Sequence, residues 1–336
     1  MKAYNLRAVG DLRYEDLEMP CCPSGWALVE VRAAGICSSD IPRIFTKGTY
    51  HFPTVPGHEF SGVVHSVAGS LSDSLVGSPV GVFPLIPCRE CDSCKEHRYE
   101  TCSNYDYIGS RRDGAFAEYV AVPIWNLVRL PQGISFETAA MMEPLAVALH
   151  SLKQGNLKPG MNVAIVGTGM IGIAAGQWAK KLGAGNVIVL GRSDSKREMV
   201  ERCGLKYGVG TETYGGYDFV LEAVGTPESV DLTLEIVRSG GRVVLMGNPS
   251  GEMTLSQSAY WKILRKQLVV SGTWNSSYDG EEPSDWMEVR TALSDKSITT
   301  EGLITHRYDQ AELTEGLKMM REHKEPFCKV MTLWNQ

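Results

Sequence analysis

Residues 163–172 read VAIVGTGMIG, and this stretch decides the second half of the molecule. The apolar run VAIV has the length of a short buried strand. Gly167, Gly169 and Gly172 then give G-x-G-x-x-G at the start of an apolar helical pattern. Gly167 permits the tight turn, Gly169 lets backbone approach a pyrophosphate, and Gly172 lets helix and strand pack closely. The N–H groups at the helix start, on Met170 and Ile171, then receive the anion. Such a turn alone is a weak signal; the strand before it and the helix after it make it a dinucleotide site.

Working outward, strands and helices alternate from Asn162 to about Thr273. NVIVLG is a strand, SDSKREMVERCG a helix starting on Ser193 or Asp194, and YDFVLEAV, ESVDLTLEIV, GRVVLMG and QLVVSGT continue the series. This repetition implies a doubly wound α/β domain, a parallel sheet with helices on both faces. One link, GVGTETYGGYD (208–218), is too short to hold the usual helix between the third and fourth strands. NAD-selective sites end the second strand on an acid that accepts the ribose hydroxyls. Here that place is Gly191, followed by Arg192 and Ser193, with Lys196 and Arg197 close behind. Removing the acid removes repulsion of a 2′-phosphate, while a guanidinium and a hydroxyl offer it donors. The expectation is NADP(H) over NAD(H); the alternative is a solvated basic helix start with relaxed selectivity.

The first half has a different texture. WALVEVRA (26–33) alternates as a half-buried strand does, and GVVHSV, VGVFPL and AEYVAV add short apolar runs between Gly and Pro. These predict antiparallel β-structure. ETAAMMEPLAVALHSLKQG (137–155) has helical spacing and ends on Gly155. ITHRYDQAELTEGLKMMREHKEPFCKVMTL (304–333) reads as a helix and a strand that rejoins the first domain. The expected division is residues 1–150, 151–275 and 276–336.

A chain of 336 residues is too long for a single core. The net charge of −6 gives no basic footprint for nucleic acid, and no apolar run reaches the roughly 20 residues that span a bilayer. Met1–Gly10 has neither an apolar core nor a cleavage site, and nine cysteines make an odd count. Both argue for a cytoplasmic protein, with Cys21, Cys22, Cys203 and Cys328 as plain thiols.

Four of the remaining five thiols form a cluster. Cys88, Cys91, Cys94 and Cys102 give Cys-x2-Cys-x2-Cys-x7-Cys, a run that can close on one tetrahedral structural Zn²⁺. Two disulfides would need an oxidising compartment, and iron–sulfur runs are spaced differently. Elsewhere Cys37 (GICSSD), His58 and Glu59 (PGHEFSG) and Glu143 (MMEPLAVALH) offer a thiolate, an imidazole and carboxylates. Singly each is a packed or surface residue; together they suit a catalytic zinc with an open position.

CSSDIPRIF, GHEFSG, the four-cysteine lobe, YDYIGSRRDGAFAEYV, EPLAVALH and KILRKQLVVSGTW, in this order, resemble the zinc-containing medium-chain dehydrogenase/reductase family over essentially the whole chain. The likeness is strongest to its sorbitol and galactitol-1-phosphate dehydrogenase branch. It implies a GroES-like β-rich catalytic domain split around a Rossmann domain. Cys37, His58 and Glu143 match the catalytic zinc ligands, and Glu59 the neighbouring acid that ligates directly or through water. Asp40 matches an acid that orients His58, Ser39 the hydroxyl that starts the proton relay, and the four cysteines the structural zinc lobe. Thr273, Trp274 and Asn275 fall beside the nicotinamide, or act as a hinge. The implied chemistry is hydride exchange between a polyol-type secondary alcohol and the nicotinamide, with zinc as Lewis acid.

The chain departs from the family pattern at Pro42, where some alcohol dehydrogenases carry a relay histidine. Arg43, Lys47, Arg111 and Arg112 can hold a substrate phosphate or merely brace their loops. A polyol phosphate is therefore expected ahead of a free polyol, and a homodimer or homotetramer is the default assembly. Members of this fold that have lost catalysis typically lack the catalytic ligands, which this chain retains.

Overall fold

The computed structural model describes residues 1–69, 73–210, 215–280 and 283–335, and the chain divides into two units. The first comprises Met1–Glu143, Ser277–Asp295 and Ile304–Gln336; the second comprises Pro144–Ser276 and Lys296–Leu303. The stretch 296–303, expected with the C-terminal return, belongs to the second unit because Thr299 exchanges two hydrogen bonds with the Gln177 amide, at 2.9 and 3.1 Å. No helix among the described residues is long and apolar enough to cross a membrane.

The first unit is built on a seven-stranded sheet. Its main path runs Ile304–Asp309, Lys329–Leu333, Trp26–Ile36, Glu59–Val67, Pro79–Val82, Leu127–Arg129. Trp26–Ile36 is the central strand. Glu59–Val67 lies antiparallel along one of its edges, while Tyr119–Pro123 and Lys329–Leu333 share the other. That position explains why this strand is buried along most of its length instead of alternating. Val29, Val31, Phe60, Val80, Phe116, Val330 and Trp334 form its core. Ile304–Asp309 is a strand that periodicity did not reveal. It runs parallel to Lys329–Leu333, joined through the helix Leu313–Glu322, so the sheet is not antiparallel throughout.

The helical pattern of 137–155 is two helices, Phe136–Ala140 and Met142–Gln154. Pro144 has no N–H to give the Ala140 carbonyl, and its ring crowds that carbonyl, so one helix stops and another starts with proline in its first turn.

The second unit is a six-stranded parallel sheet, in the order Lys206–Val209, Asn186–Gly191, Asn162–Val166, Tyr217–Glu222, Val237–Leu245, Val269–Gly272. By chain order this is 3-2-1-4-5-6, the doubly wound order of dinucleotide-binding domains. Ala164, Val166, Leu190, Val220 and Val243 form one apolar face against Leu234, Ile236 and Ala259 of the helices Pro227–Ile236 and Gln257–Arg265. Thr226 opens the first of these with a capping box to Ser229 and proline in the first turn. The helix expected from Ser193 or Asp194 begins as a 3₁₀ turn, Asp194–Lys196, before Arg197–Arg202. Of the short link between the third and fourth strands, residues 211–214 lie outside the described residues.

Candidate catalytic metal centre

Antiparallel pairing carries the first cluster to one end of the sheet. Cys37 follows the last residue of Trp26–Ile36, Glu59 opens its neighbour and pairs with Gly35, and Lys329 opens the strand on the opposite edge, where Val330 pairs with Ile36. His58 immediately precedes Glu59. Donor atoms of Cys37, His58 and Glu59 consequently all lie within 4.8 Å of one another. Glu143 stands outside that 4.8 Å set but is buried beside it, and its Oε1 accepts a hydrogen bond from Tyr107 Oη at 3.2 Å.

The charges of this pocket explain its titration. Burial, and then the Glu59 carboxylate, push Glu143 up to about 7. Burial opposes the charged form of His58, but Asp40 and Cys37 outweigh it and hold the imidazole well above its ordinary value. Lys329 pairs with Glu59, and both side chains are almost wholly buried. Asp40 is fully buried; its Oδ2 accepts the Cys37 N–H at 3.0 Å and its Oδ1 accepts from Arg43 at 2.5 Å. Asp40 Oδ1 stands 3.6 Å from His58 Nδ1, an ion-pair separation longer than a hydrogen bond, and Nδ1 has no hydrogen-bond partner. Once the imidazole is neutral, as a ligating imidazole must be, a thiol and three buried carboxylates face one lysine and one arginine, an excess of negative charge that suits a divalent cation. Ser39 is half-buried at the turn before Asp40, and its side chain makes no capping bond.

The second cluster passes a sharper test. Cys88, Cys91, Cys94 and Cys102 again offer sulfurs within 4.8 Å of one another, and no disulfide joins any of the nine cysteines, all of which lie among the described residues. Sulfur–sulfur separations of 3.5 Å (Cys88–Cys102) and 3.9 Å (Cys88–Cys94, Cys91–Cys102) exceed a disulfide bond. They match the edge of a tetrahedron with Zn–S of roughly 2.3 Å, about 3.8 Å. Backbone hydrogen bonds lower the Cys88 thiol and bring Cys91 to about 6, favouring the thiolate a metal needs. Burial raises Cys102 and pushes Cys94 up to about 12, so a metal would have to displace the proton there.

In the nucleotide-binding unit the Gly-rich turn has room for an anion. Gly167 has φ of 124°, a Cβ on Gly172 would collide with the Gly167 carbonyl, and a Cβ on Gly169 would meet nothing within 4 Å. The helix Met170–Lys181 starts without a side-chain cap, leaving its first N–H groups to a ligand. Thr273 and Trp274 line a cavity of about 370 Å³ with Glu222, Met246 and Asn248, and the Thr273 hydroxyl is buried there with no hydrogen-bond partner. Arg192 and Ser193 are exposed. Arg197 is engaged by Asp194 at 2.8 Å and Glu201 at 3.3 Å, and Lys196 Nζ reaches the Thr168 carbonyl at 3.3 Å.

Three of the arginine and lysine candidates for a substrate phosphate are already committed. Arg43 is held by Asp40. Arg111 lies 4.4 Å from the Tyr50 ring and 4.3 Å from the Tyr105 ring, and Arg112 pairs with Asp106 at 2.7 Å. Sequence reasoning missed Lys329 and Tyr107. A single lysine in the apolar strand CKVMTL was the available signal for the first; a tyrosine in YDYIG gave none for the second.

The chain is similar to known proteins over most of its length. Residues 23–132 match the alcohol dehydrogenase GroES-like domain family, and residues 171–295 the zinc-binding dehydrogenase family. The chain is 34% identical to galactitol 1-phosphate 5-dehydrogenase of Escherichia coli K12 over 313 residues, 89% of this chain and 90% of that protein. A crystal structure of galactitol-1-phosphate dehydrogenase from Escherichia coli superposes with a TM-score of 0.91 at 31% identity, covering 99% of this chain and 100% of that one. A zinc-binding dehydrogenase from Sinorhizobium meliloti 1021, bound to NADP, gives 0.88 at 28% identity, covering 99% and 98%. A short chain alcohol dehydrogenase from E. coli CFT073, complexed with NADH, gives 0.89 at 26% identity, covering 99% of both chains.

Proposed function

The chain belongs to the zinc-dependent medium-chain dehydrogenases, which act on CH–OH groups with a nicotinamide cofactor, and from that membership we propose that it interconverts a secondary hydroxyl of a polyol phosphate and the ketone, using NADP(H). The convergence of Cys37, His58 and Glu59 within 4.8 Å at one end of the sheet carries the reading. Zinc, when bound, would supply Lewis acidity toward the substrate oxygen, and a bound nicotinamide would supply the hydride acceptor or donor.

The protein's own groups do the rest. Cys37, His58 and Glu143 would hold the metal, with Glu143 moving in from outside the 4.8 Å set; Glu59 stands inside that set, but Lys329 competes for its carboxylate. Asp40, fixed by the Cys37 N–H and Arg43, faces His58 Nδ1 at 3.6 Å and would orient the imidazole by its charge or by a hydrogen bond that forms on closer approach. Ser39 takes the hydroxyl proton toward water. Cys88, Cys91, Cys94 and Cys102 hold a structural zinc, and Gly167–Gly172 cradle the pyrophosphate. Five of the nine cysteines serve zinc on this reading and none is in a disulfide, which fits a reducing, cytoplasmic setting.

The phosphate on the substrate rests on the galactitol 1-phosphate relative, since Arg43, Arg111 and Arg112 all have internal partners. Polyols and their phosphates, assayed with NAD and NADP in parallel, decide it. The expected result is a kcat/KM at least tenfold higher for a phosphorylated polyol; equal or better turnover of the free polyol assigns the chain to sorbitol-type oxidation instead.

The outer edge of Val269–Gly272 supports a two-fold assembly. Val269 and Val270 are exposed on this edge strand, and Tyr260, Trp261 and Leu264 are exposed on the helix Gln257–Arg265. An open apolar edge is a liability unless another copy covers it. Sedimentation velocity is expected to show a homodimer that Val270→Lys shifts to monomer. A monomeric parent protein removes this reading.

A further inference from the structure

What stands beside Gly191 is the phenol of Tyr207, from the neighbouring strand Lys206–Val209. A Cβ placed on Gly191 would collide with Tyr207 Oη, stand 2.8 Å from Cζ and lie 3.1 Å from Thr168 Cγ2. Tyr207 cannot swing aside cheaply. Its side chain is buried, its hydroxyl donates to the Ser193 carbonyl, and the Arg197 guanidinium covers its ring at 4.9 Å. Arg197 is itself tied to Asp194 and Glu201. The place where an acidic side chain would leave the strand is thus filled by a neutral hydroxyl, and that hydroxyl fixes the backbone of the Arg192–Ser193 turn.

We propose that Tyr207 is a specificity-determining residue for the cofactor. It restricts position 191 to glycine, so no carboxylate can meet the adenosine ribose, and it pins the turn that presents Arg192 and Ser193 to a 2′-phosphate. The inference rests on the NADP(H) reading above. It differs from the absence of an acid alone, because it makes the outcome at position 191 depend on position 207. An Asp introduced at 191 cannot reach the ribose hydroxyls while the phenol fills the space its Cβ needs.

Direct binding of nucleotides to the purified, zinc-replete protein tests this without turnover. Dissociation constants for NAD, NADP, 2′,5′-ADP and 5′-AMP are measured by calorimetry. Gly191→Asp alone is expected to weaken NADP without gaining NAD, whereas Gly191→Asp with Tyr207→Ala binds NAD at least about tenfold tighter than the single variant. Equal NAD affinity in the single and double variants overturns the proposal. Tyr207→Phe, which keeps the ring and its packing, is expected to weaken 2′,5′-ADP by roughly three- to tenfold, the loss of one hydrogen bond, and to leave 5′-AMP unchanged. An unchanged ratio of the two fragments overturns the pinning role even if the double variant fails to fold. A parent protein that binds NAD as tightly as NADP refutes the NADP(H) reading instead, and the dependence of position 191 on position 207 still decides the role of Tyr207.

Discussion

Cys37→Ala protein is expected to remain folded, to carry one zinc per chain in place of two, and to lose at least about 10³-fold in kcat/KM. The size follows from what the metal supplies: Lewis-acid stabilisation is worth several kcal/mol, and each 1.36 kcal/mol is a factor of ten. The fold should survive because the backbone N–H of Cys37, not its sulfur, holds Asp40, and because the side chain is only half-buried at a strand end. The remaining zinc belongs to Cys88, Cys91, Cys94 and Cys102, a separate set. Atomic absorption and steady-state kinetics on the same preparation, with Cys21→Ala as an exposed-thiol control, provide the check. Retention of both metal equivalents with activity within tenfold of the parent contradicts the assignment of Cys37.

Lys329→Met is expected to destabilise the first unit by about 3–5 kcal/mol in chelator-treated protein, the usual cost of leaving one member of a buried ion pair behind. Lys329 and Glu59 have side chains 4% and 2% exposed, so water cannot take over the stranded carboxylate. Glu59 would then face Glu143, whose carboxyl is already raised to about 7 by burial and by Glu59 itself. Zinc loading should recover much of the loss, because a divalent cation can replace the missing ammonium. Lys329→Met combined with Glu59→Met should also recover most of it, since no unpaired charge remains. Calorimetric unfolding with and without metal reads all three. A single variant within about 1 kcal/mol of the parent in both conditions shows that the pair does not matter to stability.

Much of the nucleotide-binding unit was legible because its signals are local. A buried strand, a glycine turn and an apolar helix sit side by side in the sequence, and the order of strands then follows from alternation. The four-cysteine run was equally local: ligands within fifteen residues need no knowledge of the fold. The catalytic cluster was not. Cys37, His58 and Glu143 are packed or solvent-facing residues when taken singly; their ligand types suggested a shared zinc and the family likeness gave them roles, but only the sheet register brought Cys37 and Glu59 to one end. The partners of these groups were hidden for the same reason. Lys329 meets Glu59 across 270 residues, and no periodicity encodes that distance. Two local readings also yielded to local chemistry: Pro144 broke an expected single helix, and central placement buried a strand whose pattern promised one wet face. Tyr207 escaped notice because its effect on Gly191 passes sideways between strands.

The neighbour of the central strand arrives late in synthesis. Thr332 bonds to the carbonyl of Ala34 from 298 residues away, and the whole nucleotide-binding unit is translated in between. At roughly 5–20 residues per second, the interval is about 15–60 s. Throughout it the C-terminal half of Trp26–Ile36 waits on the ribosome with one edge bare, and Glu59 waits without its lysine. The second unit, whose last segment ends at Leu303, can finish folding first, while the first stays open to chaperones and proteases. A message truncated before codon 329 would therefore release a chain with a complete cofactor-binding domain and a permanently unfinished sheet.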